Sequence, residues 1–583
     1  MSDLTSRVAN LNPFSSSGKP RRRIDDDDRG DNIDFDSTGH RAHGSALLPK
    51  DQLRVSRALR SFLVHQKVLG EQEAGLDSDS STDALRALLG SPHIQIPPSV
   101  TDRSHPLPEY FISSSHNTYL LAHQLYGSSC ASAYHVAIET GSRCVEIDAW
   151  DNSDDLEEPK VTHGFTLVSN ISFRLVCETI RDVLDEEIAA AEKTPGRSPS
   201  PIILSLENHC AAPGQLRLAQ IMKEVFGDRL LSKAVRDEGS REQAGSGEHV
   251  TLAELGAKIA VIVEYHIPGE VESSDSDSSD SSDDEEEKAA RKQYRDKKKG
   301  APPPVIIPEL AELGVYAQSV KPGDNSWFEN GELTNGPHHH LINVSESGLS
   351  KHLPANSTAI AKHNSKHLMR VYPKGTRISS SNLKPVPFWG LGAQICALNW
   401  QTYGTSNQIN DALFDGTGGY VLKPAPLRAG GDGKLSSGRK KKLRLHVGGA
   451  TDVPLPKDGD ADSFRPYVTC TLYHPDSLKS DPPKRKTAPY KQRKLGFLHH
   501  GENPPATDPI WDETLEWEYD DNELVFLRLL IKNDESWSKN SNIATIAVRL
   551  SYMKPGWRFV RMRDLKGRET KCSLLVKLEF EDV

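Results

Sequence analysis

Cys144-Val-Glu-Ile-Asp-Ala-Trp150 alternates apolar and acidic side chains, and this stretch of the 583-residue chain decides the fold more than any other. Two further apolar runs have the same strand character, Pro201-Ile-Ile-Leu-Ser-Leu-Glu-Asn208 and Lys258-Ile-Ala-Val-Ile-Val263. Between these runs, apolar spacing predicts helices over Phe173 to Ala191 and over Gln215 to Phe226. Strands that alternate with helices indicate a parallel sheet with crossover helices.

The predicted helix from Phe173 to Ala191 would bury one face. That face comprises Leu175, Val176, Ile180, Val183, Leu184 and Ile188. The helix from Gln215 ends before Gly227, and glycine suits the residue that follows a helix.

The strand pattern continues later in the chain and then changes in style. Val315 to Val320 and Gln394 to Leu398 resemble further strands of the same sheet. From Leu443 onward, short strands separated by turn clusters predict an all-β sandwich. Those strands are Leu443 to Val447, Tyr467 to Tyr473, Leu524 to Ile531 and Ser573 to Phe580.

Composition restricts the class of protein. Apolar residues make up 36% of the chain, and no apolar run approaches the ~20 residues of a membrane span. Residues 1–20 lack the apolar core of a secretory signal, so we expect a cytoplasmic, multidomain protein. The seven cysteines are scattered and odd in number, which predicts neither a disulfide framework nor a cysteine zinc site.

The net charge of −10 is concentrated in one segment, because Glu272 to Glu287 holds nine carboxylates and no base. Such a block repels itself and stays solvated. The basic stretch Lys288 to Lys299 and three prolines follow it. We therefore interpret Ser273 to Pro304 as a disordered insertion that splits the chain into two unequal halves.

The residues before the first strand have a different pattern. Residues 1 to about 45 mix basic and acidic runs with serine and glycine, as a disordered tail does. Apolar spacing predicts an amphipathic helix between Pro49 and Leu69 and a second helix near Asp83 to Leu89. No Asp-x-Asp-x-Asp-Gly loop lies between them, so a working EF-hand is not expected.

Glu146 and Asp148 lie two residues apart in a predicted strand, which places both carboxylates on one face. Adjacent carboxylates repel unless a cation lies between them, and oxygen donors suit Ca²⁺ or Mg²⁺. Glu207 ends the next buried strand, and strand ends face the active-site mouth of a parallel barrel. Taken singly, these acids could instead cap helices or pair with arginines.

Two histidines occur at comparable places. His116 and Asn117 follow Phe111-Ile-Ser-Ser-Ser115, and His163 precedes Gly164. Histidine titrates near neutral pH, so it can transfer a proton or stabilise a phosphoryl group during transfer.

These motifs together resemble eukaryotic phosphoinositide-specific phospholipase C over about four-fifths of the chain, from residue 105 onward. The matching segments are Ser113-Ser-Ser-His-Asn-Thr-Tyr-Leu120, Cys144-Val-Glu-Ile-Asp148, His163-Gly164, Ile203-Leu-Ser-Leu-Glu-Asn-His209, Arg370-Val-Tyr-Pro373, Gln394-Ile-Cys-Ala-Leu-Asn-Trp-Gln-Thr402 and Gly419-Tyr-Val-Leu-Lys-Pro424.

The resemblance implies an α/β fold, a TIM-like barrel split by the acidic linker and followed by an all-β C2 sandwich. The family's pleckstrin-homology domain is not expected, since the first 105 residues leave no room for it. The implied units are a tail (1–47), a short helical region that is at most an EF-hand remnant (48–105), the X half of the barrel (106–268), the X/Y linker (269–307), the Y half (308–426), a linker (427–441) and the C2 domain (442–583).

The resemblance also implies roles for the site residues. Asn117, Glu146, Asp148 and Glu207 match the calcium ligands, with Glu146 the candidate general base and Glu207 an alternative. His116 would stabilise the transition state, and His163 would protonate the departing diacylglycerol. The implied reaction is calcium-dependent hydrolysis of phosphoinositides through a cyclic 1,2-phosphodiester.

The residues that would bind the phosphates of the lipid headgroup depart from the family pattern, and we call this part of the site the headgroup side. Ile262 and Glu264 stand where the family has two phosphate-binding lysines, and Asn343 stands where it has a serine. Arg370 and the stacking Tyr372 remain. Replacing two cations with an apolar residue and an anion weakens the attraction for phosphate. We therefore expect a reduced preference for phosphatidylinositol 4,5-bisphosphate.

The expected membrane contacts depart as well. C2 positions that hold aspartates in calcium-binding members are Arg465, Asn533, Glu535 and Ser541, so we expect a structural module or one that docks on membranes without calcium. Basic clusters at Arg439 to Lys442 and Lys484 to Lys494 could attract anionic lipid or be ordinary solvated loops. On the barrel rim the family's membrane-inserting ridge is matched by Leu125, Phe165 and Leu167, with Thr376 in place of its tryptophan.

Two other functions are compatible with part of this pattern. A catalytically silent scaffold would explain the missing lysines, but it leaves the complete set of histidines and metal ligands unexplained. An unrelated metal phosphodiesterase would leave the motifs after the linker unexplained. Nucleic-acid binding has little support because the basic runs are short. The sequence indicates no particular protein activator.

Overall fold

The computed structural model describes residues 28, 30–31, 49–77, 81–120, 129–162, 170–194, 198–236, 249–267, 305–331, 333–374, 381–456, 462–478, 480–492, 503–534 and 541–583. The acidic insertion and most of the N-terminal tail lie outside them.

The first half of the described chain forms a barrel of parallel strands. Its strands and their short extensions are β1 (Tyr110–Ile112), β2 (Ser115–His116), β3 (Cys144–Trp150), β4 (Lys160–Val161), β5 (Ile171–Ser172), β6 (Ile202–Asn208), β7 (Ile259–Glu264), β8 (Gln318–Val320), β9 (His340–Ser345), β10 (Leu368–Tyr372), β11 (Ile395–Cys396), β12 (Leu398–Asn399) and β13 (Tyr420–Leu422).

Parallel pairing runs in the order β1, β11, β10, β9, β8, β7, β6 and β3. A parallel bridge between Ser114 and Cys144 joins β3 back to the β1 segment. The backbone N–H groups of Arg143 and Cys144 both donate to the carbonyl of Ser113, at 2.7 and 3.1 Å. The sheet is therefore closed, and the TIM-like barrel predicted for this chain is confirmed.

Helices cover the outside of the barrel and precede it in the chain. The α-helices are Arg57–His65, Glu71–Ala74, Asp83–Gly90, Ser132–Glu139, Phe173–Glu192, Ala212–Phe226, Leu252–Leu255, Pro308–Ala311, Ser326–Glu329, Glu346–Ser350, Ser357–Asn364, Pro385–Trp389 and Thr405–Phe414. Short 3₁₀ turns are Lys50–Gln52, Pro98–Thr101, Leu107–Glu109, Gly227–Arg229, Ala425–Leu427 and Leu550–Tyr552. Within the described residues no helix has the length and hydropathy needed to cross a membrane.

The helix Phe173–Glu192 begins where the side chain of Ser172 accepts a hydrogen bond from the N–H of Leu175. It buries Phe173, Val176, Cys177, Ile180, Val183 and Leu184 against the barrel. The prediction that Leu175 belongs to this face was wrong, because Leu175 lies in the first turn and is 48% exposed. The helix Ala212–Phe226 ends at Gly227, whose φ of 51° suits glycine, as predicted.

The C-terminal part of the chain, from Lys440 onward, is a β-sandwich. Its eight strands are ordered β16, β15, β18, β19, β20, β21, β14 and β17. Their bounds are β14 Lys440–Thr451, β15 Pro466–Tyr473, β16 Lys484–Lys486, β17 Ile510–Asp520, β18 Phe526–Asn533, β19 Asn542–Arg549, β20 Gly556–Arg563 and β21 Glu569–Asp582. All the pairings are antiparallel, so the predicted all-β sandwich is confirmed.

The N-terminal helices pack on the sandwich. Phe62 meets Trp557 edge to face, with ring centroids 5.4 Å apart. Leu59, Leu63 and Leu85 join the same buried cluster. This segment therefore extends the core of the sandwich.

Buried polar contacts join the sandwich to the barrel through the helix Thr405–Phe414. Arg563 forms an ion pair with Asp411, with Nη1 and Oδ2 2.7 Å apart. Arg528, 1% exposed, donates from Nε to Gln408 Oε1 at 2.6 Å. Buried charged groups need such partners, so these contacts favour one orientation of the two units.

Candidate active site

Three carboxylates converge at the carboxyl ends of neighbouring barrel strands. Glu146 and Asp148 lie on β3, and Glu207 lies on β6 directly opposite Asp148 in the parallel register. One oxygen from each carboxylate lies within 4.8 Å of the others. The period-two pattern on β3 and the strand end of β6 therefore bring together the three acids that sequence analysis singled out.

Glu146 is held from both sides. It is 3% exposed, its Oε2 accepts from the backbone N–H of Asn117 at 2.7 Å, and its Oε1 accepts from Arg370 Nη2 at 2.5 Å. Asn117 has φ 46°, an uncommon conformation for a residue with a side chain. That conformation aims the N–H of Asn117 at the carboxylate, and residues held in sparsely populated backbone regions cluster at functional sites.

Asp148 has one satisfied and one orphaned oxygen. Tyr119 donates its hydroxyl to Oδ2 at 2.6 Å, whereas Oδ1 is buried with no hydrogen-bond partner among the described residues. Burial, followed by the neighbouring charges of Glu207 and Glu146, raises the pKa of Asp148 well above its ordinary value. A cation bound among the three carboxylates would offset their mutual repulsion and would give Oδ1 of Asp148 a partner.

The donor set fits a hard divalent ion. Carboxylate and amide oxygens are the ligands that Ca²⁺ prefers, and Asn117 follows β2 next to the acids. The residues that would hold such an ion are Asn117, Glu146, Asp148 and Glu207. Glu207 has a side chain 41% exposed, so the cluster opens to the mouth on that side.

His116 projects one nitrogen into the same space. Its Nδ1 lies 3.0 Å from Asn399 Oδ1, and Asn399 uses its Nδ2 to donate to the carbonyl of Ser381 at 3.1 Å. The amide orientation is thus fixed, so Nδ1 of His116 carries the hydrogen. Its Nε2 lies 3.9 Å from Glu146 Oε2 and faces the carboxylates.

The sequence pattern indicates no role for Asn399 or Tyr119, although both lie within the motifs that resemble the family. Their partners come from other segments of the chain, and the Asn399–His116 pair is separated by 283 residues. A period or a spacing cannot show such a pairing. The parallel register of β12 with β2, which sets Asn399 opposite His116, creates it.

The predicted phosphate-binding residues lie on β9 and β10, and one of them contacts the acids. Arg370 donates from Nη1 to Asn343 Oδ1 at 3.2 Å, and its guanidinium carbon lies 5.5 Å from the ring centroid of Tyr372. The side chain of Arg370 is buried and its second nitrogen binds Glu146, a contact that sequence analysis missed. Arg370 therefore links the headgroup side to the acids.

Ile262 and Glu264 lie on β7, where the prediction placed them. Ile262 is 2% exposed and belongs to the apolar interior of the barrel. Burial raises the pKa of Glu264, while Lys321 on the neighbouring segment opposes that shift. Lys321 directly follows the end of β8, and no local sequence pattern indicates its position beside Glu264.

Several predicted residues lie outside the described ranges. They are His163, Leu125, Phe165, Leu167, Thr376 and Glu535. In the sandwich, the Asn533 side-chain oxygen accepts from the N–H of Arg465 at 3.0 Å, and the N–H of Asn533 donates to the Ser541 carbonyl at 2.8 Å. At this end of the sandwich, the amide oxygen of Asn533 is thus already engaged by the protein.

Comparison with known proteins decides the family. Models of the phosphatidylinositol-specific phospholipase C X domain and Y domain match residues 103–265 and 310–426, and a C2 domain model matches residues 441–565. The chain belongs to the phosphoinositide-specific phospholipase C family. The resemblance drawn from its motifs is confirmed.

Relatives of this phospholipase C chain are similar over most of its length. It is 31% identical to 1-phosphatidylinositol 4,5-bisphosphate phosphodiesterase 1 of Candida albicans, over 89% of this chain and 51% of the relative. It is 31% identical to the Dictyostelium discoideum 1-phosphatidylinositol 4,5-bisphosphate phosphodiesterase (82% and 60%). It is 30% identical to the Homo sapiens delta-1 enzyme of that name (82% and 61%). The chain thus spans between half and two thirds of these relatives.

A solved structure shares the architecture. The crystal structure of L. pealei PLC21 superposes with a TM-score of 0.66 at 26% identity, covering 88% of this chain and 62% of that chain. The S. officinalis PLC21 structure gives 0.67 at 25% identity, covering 94% and 65%.

Proposed function

We propose that the chain is an active, calcium-dependent phosphoinositide phospholipase C, which cleaves the lipid into diacylglycerol and an inositol phosphate. One observation carries the proposal. The orphaned oxygen of Asp148 lies among three converging carboxylates, next to a histidine whose free nitrogen faces them. A cluster of acids serving only the fold would pair that oxygen with a hydrogen-bond donor.

A bound Ca²⁺ would lower the pKa of the attacking inositol 2-hydroxyl and offset charge on the phosphoryl oxygens. Asn117, Glu146, Asp148 and Glu207 would hold it. Arg370 fixes one oxygen of Glu146 and the N–H of Asn117 fixes the other, so Glu146 is positioned before substrate arrives.

Proton transfer requires a base and an acid on opposite sides of the phosphate. The 2-hydroxyl attacks phosphorus while a carboxylate accepts its proton. Glu146 was the first candidate for this base, but both of its oxygens accept hydrogen bonds from the protein. The more exposed Glu207 is therefore the better base, with Glu146 as ligand.

The bond from phosphorus to the glycerol oxygen then breaks. His116, protonated at Nε2, would donate to the charged phosphoryl oxygen. His163, outside the described residues, would protonate the departing diacylglycerol. Water opens the cyclic 1,2-phosphodiester in a second step that reverses these proton movements.

We expect the preference among lipid headgroups to differ from that of the relatives, whose names specify phosphatidylinositol 4,5-bisphosphate. Ile262 offers no charge, Glu264 repels phosphate, and Arg370 is shared with Glu146. We expect phosphatidylinositol and its monophosphates to compete well with the bisphosphate as substrates.

The proposed partners are phosphoinositide lipids and an anionic membrane surface, visited from the cytoplasm. Lys484, Arg485 and Lys486 form the exposed edge strand β16 and would contribute attraction of ~1 kcal/mol each near such a surface. The C2 domain would dock without bound calcium, since Arg465 and Asn533 occupy two expected ligand positions.

The acidic insertion would oppose that docking, because nine carboxylates tethered near the site are repelled by anionic lipid. Deleting residues 273–299 should raise the rate on anionic vesicles, and more so as the anionic lipid fraction rises. A rate that the deletion leaves unchanged on every vesicle contradicts this restraint.

The second candidate is a membrane-binding scaffold, which the altered headgroup side favours. Vesicles that contain phosphatidylinositol, its 4-phosphate or its 4,5-bisphosphate separate the two functions. The enzyme releases diacylglycerol and an inositol phosphate, cyclic or opened by water, and mass spectrometry detects both forms. A folded protein that binds the vesicles and releases neither product at saturating calcium is the scaffold.

A further inference from the structure

A short piece of the N-terminal tail is fixed at the junction of the barrel and the sandwich. The backbone N–H of Asp31 donates to the carbonyl of Leu565 at 2.9 Å, and Leu565 lies between β20 and β21 of the sandwich. The carbonyl of Asp31 accepts from the backbone N–H of Tyr403 at 3.1 Å, and Tyr403 follows β12 of the barrel. One residue of the tail therefore bonds to both units through its backbone.

The tail and the barrel meet backbone to backbone. A Cβ atom added to Gly30 would lie 2.2 Å from the carbonyl carbon of Tyr403, so no side chain fits at that position. On the barrel side, a Cβ atom added to Gly404 would lie 3.0 Å from the carbonyl oxygen of Asp28. Glycine at position 30 thus permits a close approach that any side chain would obstruct.

The charges at the junction favour the same contact. Arg528 of the sandwich is 1% exposed, and its Nη2 has no hydrogen-bond partner among the described residues. Burial raises the pKa of Tyr473 to about 12, while the charge of Arg528 lowers this pKa and the charge of Asp28 raises it. Both charges therefore lie close to Tyr473. A buried cation attracts an anion placed nearby, so the carboxylate of Asp28 favours the docked position of the tail.

Tyr403 connects the tail to the other contacts of the junction. Its carbonyl accepts from Gln408 Nε2 at 2.9 Å, and its hydroxyl donates to Asp411 Oδ2 at 2.8 Å. Gln408 and Asp411 are also the residues that bind Arg528 and Arg563 of the sandwich. The tail supplies the partner for the N–H of Tyr403, so every polar group of this residue is engaged.

The segment that ends at Tyr403 also contacts the mouth. Asn399 Oδ1 lies 3.0 Å from Nδ1 of His116, and Gln401 donates from Nε2 to the carbonyl of Asn117 at 3.3 Å. Gln401 is two residues from Tyr403 along the chain. A displacement of Tyr403 would therefore move groups that hold two residues of the proposed active site.

We propose that this piece of the tail is a strap that holds Tyr403 in place and thereby positions the segment 399–403 for catalysis. The strap comprises Asp28, Gly30 and Asp31. These are positioning residues, because they act through Tyr403 and not on the lipid. The effect on catalysis rests on the proposed function, whereas the strap itself can be measured without substrate.

The test uses the full chain with Gly30→Ala, which obstructs the close approach, and with Asp31→Pro, which removes the N–H bonded to Leu565. Hydrogen exchange at the amide of Tyr403 reports the strap, because that N–H loses its acceptor when the strap is released. We expect exchange at least about threefold faster and turnover on phosphatidylinositol vesicles about threefold to tenfold lower in both variants, as for the loss of one hydrogen bond. The amount of protein bound to those vesicles should stay the same.

Two variants are matched controls. Asp31→Ala keeps both backbone bonds, and a Cβ atom added to Gly70 has its nearest neighbour 3.5 Å away. Asp31→Ala and Gly70→Ala should therefore match the wild type in exchange and turnover. Equal losses in Asp31→Ala and Asp31→Pro would overturn a strap made by the backbone.

The two measurements separate the strap from its role. Unchanged exchange of Tyr403 in both Gly30→Ala and Asp31→Pro overturns the strap. Faster exchange with unchanged turnover overturns the positioning role. A wild-type chain that releases no inositol phosphate from any lipid contradicts the proposed function and the positioning role with it, and the exchange of Tyr403 then still confirms or overturns the strap.

Discussion

The two sides of the barrel mouth differ in how far they keep the family pattern. The side formed by β2, β3 and β6 holds the three predicted acids within 4.8 Å of one another, with Nε2 of His116 3.9 Å from Glu146. The side formed by β7, β9 and β10 has Ile262 and Glu264, and its arginine is bound to Glu146. Under the proposed function, cleavage of the phosphodiester and recognition of the ring phosphates therefore depend on different strands of one mouth.

The largest effect should come from the side formed by β2, β3 and β6. His116→Ala removes the imidazole that, under the proposed function, donates to the phosphoryl oxygen, and losing one such donor costs about 2.7–4 kcal/mol. We expect the turnover rate to fall at least about a hundredfold on every lipid, measured by inositol phosphate release. The exposed His135→Ala is the control and should keep full rate. Equal rates for the two variants would remove His116 from the mechanism.

A smaller loss should follow from releasing His116 without removing it. Asn399→Leu deletes the acceptor for Nδ1–H, and a hydrogen bond to a charged group contributes about 1.5–3 kcal/mol. We expect the rate to fall about tenfold to a hundredfold. Asn399→Asp keeps an acceptor for Nδ1–H but loses the donor to the Ser381 carbonyl, so it should lose less than Asn399→Leu without matching the wild type. If both variants lose the same amount, the effect of Asn399 is on packing and not on the imidazole.

Substitutions on the headgroup side should change the relative rates on different lipids and not the chemical step itself. Glu264→Lys replaces an anion with a cation at the end of β7, which should raise the rate on the 4,5-bisphosphate relative to phosphatidylinositol about tenfold. Glu264→Gln removes only the repulsion and should give an intermediate ratio. An unchanged ratio in both variants would mean that Glu264 does not face the ring phosphates.

The smallest effect is on stability. The folded-state pKa of Asp148 is raised above 3.8 by burial and by Glu207 and Glu146, so its protonated form favours the folded chain. This stabilisation is present at acidic pH and is lost as pH rises through the folded pKa. Without calcium, the melting temperature should therefore fall as pH rises, and Asp148→Asn should flatten that slope. A wild-type slope that matches the variant would contradict the buried charge cluster.

Much of the fold could be predicted because its signals are local. The strand Cys144–Trp150 and the sandwich strand Pro466–Tyr473 follow from alternation and apolar runs within each segment. Strands such as His340–Ser345 and Asn542–Arg549 were not predicted, because Asn343 interrupts the apolar pattern of the first and Ala544 and Ala547 are weak strand formers in the second. Tertiary pairing makes both segments strands. Leu175 was wrongly predicted to be buried for a related reason. Helical spacing does not show that the first turn of this helix extends beyond the part of the barrel on which the helix packs.

The site divides in the same way. The acids could be found because strand ends and period two place them together, and the family resemblance gave them roles. The Arg370–Glu146 ion pair joins residues 224 apart across the barrel, so no local pattern contains it. Asn399 and Tyr119 were missed likewise, since a partner's identity depends on strand register and not on sequence distance.

The most direct test of the central claim is the calcium dependence of inositol phosphate release by the wild-type chain and by Asp148→Asn, with calcium buffered from nanomolar to millimolar. We predict release that rises with calcium in the wild type, and a variant that folds but needs far more calcium or shows no release. Release by the wild type that is independent of calcium, or a variant with an identical calcium curve, would contradict the assignment of the carboxylate cluster as the catalytic metal site.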